Sequence, residues 1–231
     1  MKEITSRKQR YGPRRRLRGC WIVIIDAEMS HQKVSLRSKK VKNSIISVYF
    51  IIGLWIALFI CGRFISMNKY LCGKGFDLIA GRFYRYITAS FLHENLFHLA
   101  ANCLGLYFIT IYLDGKINSV AIAVFAIISA TVSNMIFSLI YRWTESFVGG
   151  SVIIYSIIGL IVIMQLRCRD SAPFMLGTWY GNWTLGYFIL ANVINGSAKR
   201  ADISSIMIHG ISFAVGMVIG AIILITGMIR V

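Results

Sequence analysis

The chain has 231 residues, of which 57% are hydrophobic and 15% are charged, yet its formal net charge at pH 7 is +16. This composition argues against an ordinary soluble domain, because the charged residues cluster and leave six long uncharged stretches between them. The five cysteines are scattered, with no pair at metal-ligand spacing, so they imply neither a disulfide framework nor a zinc site.

Residues 1–42 are the most basic part of the chain, with 13 of the 25 Lys and Arg residues and three of the nine acidic residues. We predict a cytoplasmic tail here, because basic segments beside membrane helices stay on the cytoplasmic side. The run Arg14–Arg18 also suggests nucleic-acid binding. Topology and attraction to anionic lipid explain the charge without it, so no nucleic acid is expected as a partner. The apolar segment Trp21–Ile25 is too short for a membrane span or a signal peptide.

Six apolar stretches follow in residues 43–231, each near or above the ~20 residues that a helix needs to cross a bilayer. The predicted spans are 43–62, 95–113, 117–141, 146–166, 171–198 and 203–229. With the N-terminus inside, six crossings return the C-terminus to the cytoplasm and leave 17 of the 25 basic residues on that side. The sequence therefore predicts an all-α membrane protein, a bundle of six transmembrane helices behind a basic cytoplasmic tail.

The connection between the first two spans is long, about 31 residues from Arg63 to His93. A loop of this length in a compact domain usually has a function. It mixes apolar side chains with Arg82 and Arg85, so we predict that it lies partly in the outer membrane interface.

The fifth predicted span is unusually long and rich in aromatic residues. These are Trp179, Tyr180, Trp183, Tyr187 and Phe188. Trp and Tyr are enriched where a membrane meets water, so an interfacial belt accounts for them without a special role.

Polar residues are predicted at one depth in the second, fourth and sixth spans, which all run from outside to inside. His98, Ser151 and His209 lie four to seven residues beyond the acidic residue that precedes each span, roughly 6 to 10 Å deeper. Asn102 shares a helix face with His98, because the two are four residues apart. A lone Ser or His in a membrane helix usually only satisfies packing. Their joint placement indicates a functional site, because unpaired polar groups are expensive in hydrocarbon.

Small residues predict close contact between the fourth and sixth spans. Gly159 lies on the same helix face as Ser151, and Gly216 and Gly220 share a face with His209. Such seams let helix backbones come together in lipid. A hydrogen bond of about 2.6 to 3.2 Å between a serine and a histidine requires that approach, so packing and catalysis are compatible.

The sequence resembles the rhomboid family of intramembrane serine proteases over about residues 44 to 229. Four blocks carry the resemblance: Gly81–Arg85 leading to Thr88–His93, His98-Leu-Ala-Ala-Asn102, Gly149-Gly150-Ser151 with Tyr155, and His209 followed by Ser212 and Gly216. The order and spacing of these blocks together are specific. The resemblance implies a fold of six helices in which the serine starts the fourth helix, in a water-filled cavity open to the outside.

The resemblance also implies a catalytic pair. Ser151 would be the nucleophile and His209 its general base, with the ring of Tyr155 packed on the imidazole. No carboxylate is placed to complete a triad, since Asp202 is seven residues, about 10 Å of helix, from His209. A dyad oriented by packing is therefore expected, with no metal or cofactor.

The family's oxyanion-stabilising groups have counterparts here as well. His98 and Asn102 match the family's pair of side-chain donors. The backbone at Gly150 and Ser151, near the start of its helix, would add a donor and the positive end of the helix dipole.

The sequence departs from the family pattern at three positions. Val152 replaces the second glycine of the usual Gly-x-Ser-Gly, where it either pushes the fourth and sixth spans apart or points aside. Tyr84 replaces the tryptophan of the usual Trp-Arg pair in the first loop, and Ser212 stands where glycine is common.

Three functions are weighed against one another. The leading hypothesis is an intramembrane serine endopeptidase that cleaves transmembrane protein substrates near the outer face of the plasma membrane. For the fifth span, the resemblance adds a second possibility beside the interfacial belt, that this helix tilts aside to admit substrate. The alternative is a catalytically inactive rhomboid-like protein that binds transmembrane helices; Val152 favours it, and the presence of both Ser151 and His209 opposes it. A transporter or channel would also hold polar groups in the membrane, but the spans contain no carboxylate.

Overall fold

The computed structural model describes residues 46–75, 77, 80–113, 116–140, 147–167, 179–197 and 203–226. The predicted basic tail at 1–42, with its segment Trp21–Ile25, lies outside the described residues. So do Glu145 and Asp202, two of the acidic residues used to estimate depth.

The described part of the chain is α-helical, as the sequence predicts. Its helices, with one 3-10 turn, are α1 Ile46–Phe64, α2 Met67–Leu71, α3 Tyr84–Thr88, the 3-10 turn Ala89–Phe91, α4 Leu96–Leu113, α5 Ser119–Ile140, α6 Ser151–Arg167, α7 Trp179–Ser197 and α8 Ile203–Ile225. Four of them, α1, α4, α5 and α8, are long and apolar enough to cross a membrane. The fourth and fifth predicted spans correspond to α6, an apolar helix of 17 residues, and to α7, of 19 residues. The count of six crossings stays a prediction.

The apolar stretch predicted as the fourth span starts too early, at residue 146, whereas α6 begins at Ser151, as the family resemblance implies. Before it, Phe147 forms an isolated antiparallel bridge with Gly73, with backbone hydrogen bonds of 2.9 and 3.1 Å. Gly149 then has a φ of +144°, which a helix does not accommodate. The helix therefore starts at the predicted polar residue itself. The predicted fifth span begins at 171, and residues 171–178 lie outside the described ranges.

The connection between α1 and α4 is folded around a buried ion pair. Arg85 is 5% exposed, and its Nη1 donates to Asp77 Oδ1 at 3.2 Å. Its Nε and Nη2 donate to the backbone oxygens of Tyr70 and Lys69 at 2.9 and 3.1 Å. Arg82 adds a second ion pair with Asp77 at 3.1 Å. A buried charge with this many partners fixes the loop beside the helices.

Helix α6 is the centre of the bundle, with every residue from Ser151 to Ile161 buried. It packs most extensively against α8 and also contacts α5 and α4. A side chain at Gly159 would collide with the backbone of Phe213, and one at Gly216 with the backbone of Ser156. The backbones of α6 and α8 therefore approach as closely as the small-residue pattern predicts.

The two unusual residues in this region do not disturb the packing. Val152 is 3% exposed and belongs to the core, and α6 still meets α8 at Gly159 and Gly216. Of the two possibilities weighed for Val152, separation of the helices is therefore wrong. Ser212 is fully buried, and its hydroxyl donates to the backbone oxygen of Ile208 at 2.7 Å.

Candidate active site

Ser151 and His209 form a hydrogen bond across the seam between α6 and α8. The distance from His209 Nε2 to Ser151 Oγ is 3.1 Å, and the two residues are 6% and 7% exposed, respectively. Ser151 is the first residue of α6, so its backbone N–H is among those that lack an acceptor within the helix. A serine with an imidazole at this distance and a helix start beside it is an arrangement suited to nucleophilic chemistry.

Tyr155 lies one helical turn after Ser151, and its ring stacks on His209. The ring centroids are 4.2 Å apart and the planes are 10° from parallel. The Tyr155 hydroxyl donates to the backbone oxygen of Phe188 at 3.2 Å, which ties the ring to α7. The aromatic packing implied by the family resemblance is present in the structure.

Asn192 on α7 contacts the other nitrogen of the imidazole, a contact that was not predicted from the sequence. Its Oδ1 is 3.0 Å from His209 Nδ1. Its Nδ2 donates to Tyr155 Oη at 2.9 Å and to the backbone oxygen of Phe188 at 2.7 Å. The expectation that packing alone orients His209 is therefore incomplete. The available signal was an amide within an aromatic, otherwise apolar stretch, which is expensive in a membrane unless it has partners.

Asn102 presents a buried amide donor beside this pair. It is 1% exposed, and its Oδ1 accepts a hydrogen bond from the Tyr187 hydroxyl at 2.6 Å. Its Nδ2 has no hydrogen-bond partner among the described residues. Buried polar groups are nearly always paired, so this unpaired donor is suited to bind an acceptor atom of a ligand.

His98 and Ser151 face each other across Gly149. A β-carbon at this glycine would lie 3.2 Å from His98 Nε2 and 3.6 Å from Ser151 Oγ. The φ of +144° also disfavours any other residue there. Asn95 fixes the start of α4, because its Oδ1 accepts the backbone N–H of His98 at 2.8 Å. Gly149 thus keeps a small space open between an imidazole donor and the serine hydroxyl.

Gly150 lies against Trp55 of α1. A β-carbon at Gly150 would overlap the indole ring, whose Nε1 donates to the backbone oxygen of Ser90 at 3.1 Å. The glycine therefore lets the chain pass the indole just before the serine. Its predicted contribution to oxyanion binding through the backbone stays a prediction.

His93 packs against His98 and Trp55. Its ring makes edge contacts with His98 and Trp55, at centroid distances of 5.3 and 5.1 Å. Burial, and secondarily the charge of His98, lower the pKa of His93 to about 3. Neither ring nitrogen has a hydrogen-bond partner in the described part of the chain. His93 is therefore a neutral packing group at physiological pH.

Part of this site opens into a cavity of about 810 Å³. Its polar wall is formed by Ser151, His209, His98 and Asn102, and helix α7 forms another part of the cavity wall. The apolar wall includes Phe97, Leu104, Val152, Trp183 and Ile208. A volume of this size with a few converging polar groups is typical of a ligand site. Within the described ranges, no three His, Cys, Asp or Glu side chains form a group that could hold a metal ion.

Comparison with known families gives a match over most of the chain. The family model described as Rhomboid domain matches residues 80–226, which include α3 to α8 and every residue of the candidate site apart from Trp55. A comparison with curated proteins gives no match.

Proposed function

The chain belongs to the rhomboid family, and we propose that it is an intramembrane serine endopeptidase that cleaves transmembrane segments of other membrane proteins. The observation that carries the proposal is the 3.1 Å contact between Ser151 Oγ and His209 Nε2. Both residues line a cavity that also holds two further polar groups, His98 and Asn102. The family match and the four apolar helices support a membrane protein of this kind.

In the proposed reaction, Ser151 Oγ attacks the scissile carbonyl carbon while His209 Nε2 takes the serine proton. The tetrahedral intermediate collapses as the imidazolium returns that proton to the leaving amine, and the peptide C–N bond breaks. A water molecule then loses a proton to His209 and attacks the acyl-enzyme ester. The ester C–O bond breaks, the proton returns to Ser151 Oγ, and the new carboxyl terminus leaves.

The oxyanion of the intermediate is held by preorganised donors. The proposed donors are the His98 imidazole beside Gly149, the partnerless Asn102 Nδ2 and the backbone N–H of Ser151, and all three residues line the same cavity. Gly150 has no side chain, so the chain can pass the Trp55 ring just before this backbone donor. Removing one donor of this type lowers kcat by about 100- to 1,000-fold in a serine protease, so Asn102→Ala is expected to do the same.

The proposal includes a topology. Residues 1–42 form a cytoplasmic tail, and residues 43–231 form one domain in which α1, α4, α5, α6, α7 and α8 cross the plasma membrane. The distribution of basic residues supports cytoplasmic N- and C-termini. The start of α6 then faces the outside, where water for hydrolysis is available.

Cleavage by the purified full-length protein tests the proposal. In detergent, the protein is expected to cut a transmembrane substrate, and Ser151→Ala and His209→Ala each abolish cutting. Ser156→Ala is the matched control, because this buried hydroxyl lies on the same helix and only donates to the backbone oxygen of Val152. We expect its rate to stay within about twofold of the original.

Labelling of the serine separates the peptidase from the alternative. A fluorophosphonate probe is expected to label Ser151, and the label disappears in Ser151→Ala. If several transmembrane substrates remain intact and Ser151 takes up no probe, the peptidase is refuted, and an inactive protein that binds transmembrane helices becomes the better interpretation.

A further inference from the structure

We propose that Asn192 is a positioning residue that holds His209 in the tautomer able to accept the Ser151 proton. The inference rests on the proposed peptidase function and adds a third member to its catalytic pair. It is carried by the hydrogen bonds around the Asn192 amide, which comes from α7, a different helix from those that supply Ser151 and His209.

The orientation of the Asn192 amide is fixed by its neighbours. The nitrogen Nδ2 lies 2.7 Å from the backbone oxygen of Phe188, which can only accept a hydrogen bond. It also lies 2.9 Å from Tyr155 Oη, whose own hydrogen is donated to the same backbone oxygen. A flipped amide would place its oxygen against the Phe188 carbonyl. The side that faces His209 Nδ1 at 3.0 Å is therefore Oδ1, an acceptor.

An acceptor at Nδ1 determines where the imidazole carries its proton. Neutral His209 then donates from Nδ1 to Asn192 Oδ1, so Nε2 carries the lone pair and accepts a hydrogen bond from Ser151 Oγ. This is the tautomer that a general base needs. After proton transfer, both nitrogens of the imidazolium are donors, and the bond to Asn192 becomes charge-assisted.

The arrangement corresponds to the third group of other hydrolytic sites, in which a carboxylate or an asparagine orients the histidine. A neutral amide suits this position because an ionised carboxylate would be costly within the bundle and would repel the Phe188 carbonyl. Asn192 thus supplies the orientation that the sequence analysis assigned to stacking alone.

The competing explanation is that Asn192 only holds α7 against the bundle. The two explanations differ in what they change. If Asn192 is only an anchor, its loss loosens the cavity wall and weakens substrate binding. If it fixes the tautomer of His209, its loss lowers the rate of the chemical step and leaves substrate binding intact. The ratio of kcat to KM effects, and the protonation pattern of His209, therefore separate them.

The test compares Asn192→Leu with Gln165→Leu. Gln165 is a half-buried amide on α6 that donates to the Tyr112 hydroxyl, away from the cavity, so the control makes the same chemical change elsewhere in the bundle. Asn192→Leu is expected to lower kcat about 10- to 100-fold with KM within about twofold. Gln165→Leu is expected to keep both constants within about twofold. An unchanged kcat in Asn192→Leu, or a loss that lies in KM alone, overturns the proposal.

A spectroscopic measurement keeps the proposal testable if Asn192→Leu does not fold. The protein is labelled with ¹³C and ¹⁵N histidine, and the His209 signal is identified by its loss in His209→Gln. In the unsubstituted protein the signal is expected to report a proton on Nδ1, and in Asn192→Leu a shift toward a proton on Nε2. A proton on Nε2 in the unsubstituted protein overturns the proposal. This result does not depend on cleavage, so failure of the peptidase and failure of the inference are distinguishable.

Discussion

Removal of the Tyr187 hydroxyl tests how Asn102, the proposed oxyanion donor, is held. This hydroxyl donates to Asn102 Oδ1 at 2.6 Å and so directs the partnerless Nδ2 of Asn102 to the opposite side. Tyr187→Phe keeps the ring that packs against Gly105 and Tyr155. The substitution removes only the bond that prevents the amide from turning its oxygen toward the developing negative charge.

The size of the effect follows from the bond that is lost. A hydrogen bond of this kind contributes about 0.5 to 1.5 kcal/mol, which corresponds to about a 2- to 13-fold fall in kcat if all of it serves the transition state. Asn102→Ala removes the donor itself and is expected to cost about 100- to 1,000-fold. The Tyr187 hydroxyl therefore has a smaller effect than the residue it orients.

A double-mutant cycle measures whether the two residues act together. Cleavage of a transmembrane substrate in detergent is followed for each single variant and for the double variant. Once Asn102 is alanine, Tyr187→Phe is expected to cause no further loss. Tyr112→Phe is the matched control, a buried tyrosine on α4 whose hydroxyl pairs with Gln165 outside the cavity. Independent, multiplicative effects of Tyr187→Phe and Asn102→Ala would refute the reasoning.

Three further predictions concern the space beside the serine, the helix seam and the buried imidazole. Gly149→Ala places a methyl group 3.2 Å from His98 Nε2, and we expect cleavage to fall by at least about 100-fold while circular dichroism stays unchanged; near-normal cleavage would show that the oxyanion binds elsewhere. Gly216→Val collides with the backbone of Ser156 and is expected to lower the free energy of unfolding by about 2 to 4 kcal/mol, measured by denaturant titration. The pKa of His93 is about 3 in the folded chain against 6.5 ordinarily, so below pH 6.5 His93 binds a proton in the unfolded chain but stays neutral in the folded chain. His93 is expected to contribute about 2 kcal/mol to the fall in the free energy of unfolding from pH 7 to pH 5, and His93→Phe to remove that contribution; an equal loss in both proteins would contradict it.

The sequence alone predicted the parts of the fold that depend on local properties. Apolar length and the absence of charge are read directly from the chain, and α4, α5 and α8 begin within two residues of the predicted spans. The contact between Ser151 and His209 was also predictable, because glycines on both helices allow the approach and the family resemblance pairs the two residues.

The rest depends on how the helices are rotated and tilted against each other. Asn192 meets His209 only because α7 turns one particular face toward the seam between α6 and α8, and no spacing in the sequence encodes that rotation. Apolarity alone placed the start of the fourth span too early, because the bridge between Phe147 and Gly73 joins residues far apart in the chain. Long-range contacts of this kind are visible only in three dimensions.

Helix α7 carries both side chains that orient the chemistry from outside the catalytic pair, Tyr187 on Asn102 and Asn192 on His209. If this helix swings outward to let a substrate enter, both hydrogen bonds break together. On the proposed peptidase function, the catalytic pair would be misaligned while α7 is displaced and would become competent only once α7 has closed on the bound segment. A peptidase coupled in this way would spare neighbouring membrane proteins that contact an open entrance without being bound.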